Sequence, residues 1–263
     1  MTVPRILVIA GSDSGGGAGI QADVKAVTLL GGHAMTAITA ITAQNTLGVR
    51  AVHPVPVDMV LAQMDAVAED IGVDVVKIGM LGSAAIAGAV ADWLERRPGV
   101  PVIFDPVMVA TSGAALADGE TIAAFARLMV RATLVTPNIP ELAALADMAV
   151  EGAAQAEAAA RLLAARCGAA ILAKGGHMEG GELLDLLVMP GGGVHRWRSP
   201  RIDSRHTHGT GCTLASAIAT GLGMGLDLPA AIGQARLHVR AAIEAAPGLG
   251  AGAGPMGVPR RDR

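Results

Sequence analysis

The chain has 263 residues, 52% of them hydrophobic and 16% charged, which predicts a sizeable core and excludes an unfolded chain. Its formal charge is −3 and its basic residues form no run beyond the terminal Arg-Arg-Asp-Arg, so a nucleic-acid backbone is not the expected partner. The apolar start at residues 6–11 is too short for a leader or a membrane span, and the two cysteines stand far apart, so a cytoplasmic protein with free thiols and no membrane association is expected.

Residues 5–11 (RILVIAG) read as a buried strand, and 19–32 as a helix with Ile20, Val24, Val27 and Leu30 at helical spacing. Further strands are predicted over 35–44, 73–80, 100–107, 133–138 and 169–176. Helices are predicted over 57–71, 84–97 and 118–131, with two more across 139–166. Residues 183–200 read as a hairpin turning at Gly191–Gly193, and two helices close the chain. No linker interrupts this order before residue 247, so one domain is expected over 1–263, with 247–263 a flexible Gly/Pro-rich tail. Strands alternating with helices predict a mostly parallel sheet covered on both faces.

In such sheets ligands sit beyond the C-terminal ends of the strands. The polar residues there are Ser12-Asp13-Ser14, Gln44-Asn45, Lys77 with Met80, Asp105, Asn138 with Glu141, and Lys174-Gly175-Gly176. Ordinary turns need only Gly, Asn or Ser. Charged groups gathered on one edge point instead to phosphate and metal chemistry.

Two glycine-rich segments open helices, and backbone N–H groups at a helix start favour anions. The first, GSDSGGGAGIQAD (11–23), is no P-loop, because the chain contains no Gly-Lys pair. Gly17, Gly19 and Ala22 match G-x-G-x-x-A, but no acidic residue follows at the distance a dinucleotide fold uses. The second, HTHGTGCTLASAIATG (206–221), places Cys212 at a helix mouth, where the dipole is expected to lower its pKa toward neutrality. A metal ligand, a nucleophile, a small packing residue and a proton acceptor in phosphoryl transfer all fit a cysteine there. A metal site lacks companions at ligand spacing, with only His206 and His208 near.

The segments AGSDSGGGAGIQADVKA, TAQNT, VKIGML, DPVM, TPNIPEL, AKGGH and HTHGTGCT occur in the order and spacing of hydroxymethylpyrimidine/phosphomethylpyrimidine kinases. On these segments the chain resembles that family, from about residue 5 to residue 240. The resemblance implies a ribokinase-like three-layer α/β/α fold and a kinase using ATP and Mg²⁺ in thiamine synthesis. It implies Cys212 as general base, in the place of the aspartate that most ribokinase-like kinases carry. It also implies Gln44 as reader of the pyrimidine, Asp23 at its hydroxymethyl group, and Gly11, Ala18, Met80 and Val107 around the ring. Met80 and Val107 fit simple core packing equally well by sequence.

On the nucleotide side the resemblance implies Lys174 at the transferring phosphate, with Thr207, Gly209 and Gly211 forming the anion hole. Asn138 would contact ATP, and Asp105 and Glu141 would organise Mg²⁺ through water. A homodimer is expected on the same ground. Pyridoxine/pyridoxal kinase and a non-catalytic binding protein remain as alternatives. Two departures stand out: Gly15 occupies a place where family members often carry a hydroxyl residue, and LGAGAGPMG lacks the family's histidine.

Overall fold

The computed structural model describes residues 2–110, 113–177 and 181–259. Its first strand, β1 (Arg5–Asp13), alternates its side chains between two cores: Ile6, Val8 and Ala10 face one, Leu7 and Ile9 the other. That alternation is the period-2 pattern of a strand covered on both faces. Helix α1 (Gly19–Leu29) follows, then β2 (His33–Asn45), β3 (Gly48–Pro54), α2 (Val57–Asp70), β4 (Val75–Ile78) and α3 (Ala84–Glu95). The chain continues through β5 (Val102–Phe104), α4 (Gly119–Arg131), β6 (Leu134–Val135), α5 (Ile139–Ala146), α6 (Ala153–Cys167) and β7 (Ala170–Ala173). The hairpin β8 (Glu182–Val188) and β9 (Val194–Pro200) leads to α7 (Thr210–Gly223) and α8 (Leu228–Glu244).

These strands form one nine-stranded sheet in the order β3-β2-β1-β4-β5-β6-β7-β8-β9. The run from β2 to β7 is parallel, while β3, β8 and β9 pair antiparallel at the two ends. Helices α2 to α6 pack on one face, and α1, α7 and α8 on the other. This is the expected three-layer fold with a mostly parallel sheet. Among the described residues no helix is long and apolar enough to cross a membrane.

Two features go beyond the sequence reading. Strand β3 was not foreseen: five of its seven residues are exposed, so its sequence carries no apolar alternation. The C-terminal segment does not stand clear of the body. Gly252 N–H donates to Thr46 Oγ1 at 3.3 Å, Gly254 O accepts from His208 N–H at 3.2 Å, and Gly257 N–H reaches Ala242 O at 2.9 Å. Residues 260–263 lie outside the described residues.

Candidate active site

The C-terminal ends of β1, β2, β4, β5, β6 and β7 open into one cavity of about 1110 Å³. Its wall includes Gly11, Ala18, Gln44, Met80, Asp105, Val107, Asn138, Glu141, Lys174, Thr207, Gly209, Gly211 and Cys212. Residues far apart in sequence meet there because parallel strands all end on one side.

Asp105 follows β5 and is 2% exposed. Its Oδ1 accepts from Lys174 Nζ at 2.7 Å and from Thr136 Oγ1 at 3.0 Å. Burial alone would lower the pKa of Lys174, but the carboxylates of Asp105 and Glu141 hold it above its usual value. The lysine is a fixed cation. A Cβ on Gly211 would come within 3.3 Å of Lys174 Nζ, so the glycine lets that charge lie close to the opening turn of α7. Gly209, the N-cap of α7, has φ +86°, and a Cβ there would run into the Gly17 carbonyl oxygen. Only glycine suits both demands.

The course of the chain after Lys174 is held from β8. Asp185 accepts Gly175 N–H on Oδ1 at 2.9 Å and Arg236 Nε–H on Oδ2 at 2.7 Å. A Cβ on Gly175 would strike the Leu184 carbonyl. Sequence reasoning missed Asp185 and Arg236, because a lone Asp inside a predicted hairpin carries no local signal.

Asn138 and Glu141 form a capping box at the start of α5: Asn138 Oδ1 accepts Glu141 N–H at 2.9 Å, and Glu141 Oε2 accepts Asn138 N–H at 2.8 Å. Burial, opposed by Lys174 and reinforced by Asp105, pushes Glu141 up to about 7. Two buried carboxylates sharing one lysine make this corner short of positive charge.

Asp23 does not reach the cavity wall, contrary to expectation. It is fully buried on α1, with Lys77 Nζ 2.9 Å from both carboxylate oxygens and Ser216 Oγ donating to Oδ1 at 2.7 Å. Burial works against the Lys77 charge, but Asp23, Cys212 and Asp105 together outweigh it and hold the ammonium above its usual range. Both charges of the pair act on the thiol of Cys212.

Cys212 is the second correction. Gly19 N–H and Lys77 favour its thiolate, but burial, with Asp23 and Asp105, pushes the thiol up to about 11.

The first glycine loop wraps Asp13, which accepts the N–H groups of Gly15, Gly17 and Ala18 at 2.8, 3.0 and 2.8 Å. The buried His208 adds its Nε2 at 2.9 Å. Gln44 lies next to this pair, with Nε2 3.2 Å from His208 Nε2. Gly11 lacks a side chain where Met80 Cε crosses it.

The phosphomethylpyrimidine kinase family model matches residues 13–257. The hydroxymethylpyrimidine/phosphomethylpyrimidine kinase of Rhizobium meliloti is 48% identical, covering 95% of this chain and 95% of that protein. The thiamine biosynthesis bifunctional protein ThiED of Geobacter sulfurreducens is 49% identical over 95% of this chain, which spans 51% of that protein's length. Among solved structures, an ADP complex of Bacillus subtilis pyridoxal kinase superposes with a TM-score of 0.90 at 32% identity, covering 97% of both chains.

Proposed function

Because the chain belongs to the phosphomethylpyrimidine kinase family, we propose that it phosphorylates 4-amino-5-hydroxymethyl-2-methylpyrimidine and then the monophosphate, using ATP. The observation that carries this reading is the Lys174–Asp105 pair seated against Gly211 at the start of α7, in one cavity with Gln44, Met80 and Cys212. Phosphoryl transfer needs positioning and stabilisation of charge on the moving group more than covalent chemistry. Lys174 and the α7 N–H groups supply that charge.

In this reading Gln44 pairs with the polar edge of the ring, since a primary amide offers a donor and an acceptor side by side. Met80, Val107, Gly11 and Ala18 surround the ring, and Thr207 and Asn138 contact ATP. Cys212 accepts the hydroxyl proton. It does so as its thiolate, a small fraction at neutral pH for a thiol near 11, so turnover should climb as pH rises toward that value.

Asp105 and Glu141 fit Mg²⁺ by their chemistry: hard oxygen donors, buried, with Lys174 bonded to Asp105 as a cation facing both. Mg²⁺ held by one or two carboxylates keeps waters and phosphate oxygens in its shell. When bound, Mg²⁺ neutralises charge on the phosphate oxygens.

A coupled assay of ATP turnover with the pyrimidine and with pyridoxal tests the reading. The structural likeness to a pyridoxal kinase favours that vitamer as the second candidate. The pyrimidine should give the higher kcat/KM; preference for pyridoxal reverses the assignment, and binding without turnover leaves a non-catalytic protein. Gln44→Leu should raise the KM for the pyrimidine at a cost of about 1–3 kcal/mol, and Lys174→Ala should chiefly lower kcat. An unchanged pyrimidine KM in the first variant removes Gln44 as ring reader.

The protein is further read as a cytoplasmic homodimer. On one face of the β2–β3 ribbon Ile41, Ala43 and Ala51 are exposed, which supports an apolar contact between copies. Sedimentation at micromolar concentration separates dimer from monomer.

A further inference from the structure

The arrangement around Gln44 contains a proton-counting conflict. Asp13 is 3% exposed, and as a carboxylate bound by three backbone N–H groups it can only accept. His208 Nε2, at 2.9 Å from Asp13 Oδ2, therefore carries a proton whatever the charge of the ring. The ring is held in place: it is buried against Gly17, where a Cβ would collide with its Cδ2. On the other side of Gln44, Thr42 Oγ1 donates its single proton to the Ser12 carbonyl at 2.9 Å, which also can only accept.

The Gln44 amide stands between these two fixed groups, with Nε2 3.2 Å from His208 Nε2 and Oε1 3.2 Å from Thr42 Oγ1. In that rotation an N–H meets an N–H, and a carbonyl oxygen meets a hydroxyl lone pair. Turning the amide by half a revolution removes both conflicts: its N–H donates to the Thr42 lone pair, and its oxygen shares the single Nε2 proton that His208 gives chiefly to Asp13. Oxygen and nitrogen of an amide have the same shape, so the partners settle which end is which.

We infer that the Asp13–His208 pair sets the rotation of the Gln44 amide, holding its oxygen toward His208 and its N–H toward Thr42. His208 is thereby a specificity-determining positioning residue. This rests on the reading of Gln44 as the contact to the ring. The locked amide offers its acceptor and donor in one fixed order. A ring with an exocyclic amine beside an unprotonated nitrogen matches that order. A ring with a carbonyl beside a protonated nitrogen presents the reverse, and Gln44 cannot turn to meet it without driving its N–H against His208.

The test compares kcat/KM for 4-amino-5-hydroxymethyl-2-methylpyrimidine and its 4-oxo counterpart in the wild type, His208→Leu and His208→Gln. Leucine removes the N–H, and glutamine places an amide N–H where the imidazole Nε2 lies. The amino-over-oxo preference should fall about 10- to 100-fold in His208→Leu, two hydrogen bonds being freed to reverse. It should stay within about threefold of wild type in His208→Gln. If His208→Leu slows both substrates equally and leaves the ratio intact, His208 is structural and the inference falls.

A second measurement needs no turnover. In the ligand-free protein, nuclear Overhauser contacts from the Gln44 side-chain N–H₂ to the Thr42 methyl support the rotation. Contacts to the His208 ring instead overturn it. Should the wild type phosphorylate neither pyrimidine, the proposed function fails while this measurement still judges the rotation.

Discussion

At Cys212 burial and two carboxylates favour the thiol, while the Lys77 charge and the Gly19 N–H favour the thiolate. Burial, with Asp23 and Asp105, outweighs Lys77 and the Gly19 N–H, so the thiol stays protonated at neutral pH. A raised pKa means that the reactive thiolate forms only as pH climbs toward the folded value. In ligand-free Cys167→Ala protein, alkylation of Cys212 by iodoacetamide should therefore inflect near 11 rather than near 9. An inflection near neutrality would restore the dipole-activated thiol. Cys212→Ser keeps a small side chain but is a far weaker base, and general-base loss is worth about 10²–10⁴-fold. Turnover should fall by that order with the KM for ATP little changed; near-normal turnover would reduce the thiol to packing.

At the scale of elements, the Lys77–Asp23 pair joins β4 to α1, and Ser216 on α7 completes it. Both ionic side chains are fully buried. Breaking a buried pair leaves a lone charge, which typically costs about 3–5 kcal/mol, whereas replacing both partners with packed apolar groups is often nearly neutral. Lys77→Met should thus lower the urea midpoint sharply, and Lys77→Met with Asp23→Leu should recover much of it. A double variant whose loss equals the sum of the singles would show that the two charges do not act together. The sequence marks Lys77 as a polar residue near a strand end but not its pairing: it lies inside the short apolar β4, and Asp23 sits on a helix whose buried side is visible only after packing.

At the scale of the molecule, the C-terminal segment ties two walls of the cavity. It hydrogen-bonds Thr46, two residues after Gln44, and His208, which lies beside Gln44. A chain ending after Ala246 loses these contacts and the bond from Gly257 to Ala242, each worth about 1 kcal/mol net. Calorimetry should give a lower Tm, by about 2–4 °C per kcal/mol lost in a chain of this size. The KM for the pyrimidine should rise several-fold while that for ATP moves less. An unaltered Tm and KM would make the segment dispensable.

By itself the sequence determined the alternation of strands and helices, because buried strands and one-sided helices leave periodic apolar patterns in their own residues. It also singled out polar residues near strand ends, and thus most of the wall from Gln44 to Lys174, although Lys77 among them lies buried inside β4 and off the cavity. Strand β3 escaped because an exposed edge needs no such pattern. Only the tertiary structure decided where Asp23 points, how far Cys212 holds its proton, that Asp185 steadies the chain after Lys174, and that His208 lies against both Asp13 and Gln44. Each of these depends on groups brought from separate elements. The field at a buried atom is a sum over neighbours in space, and a chain read residue by residue contains no record of those distances.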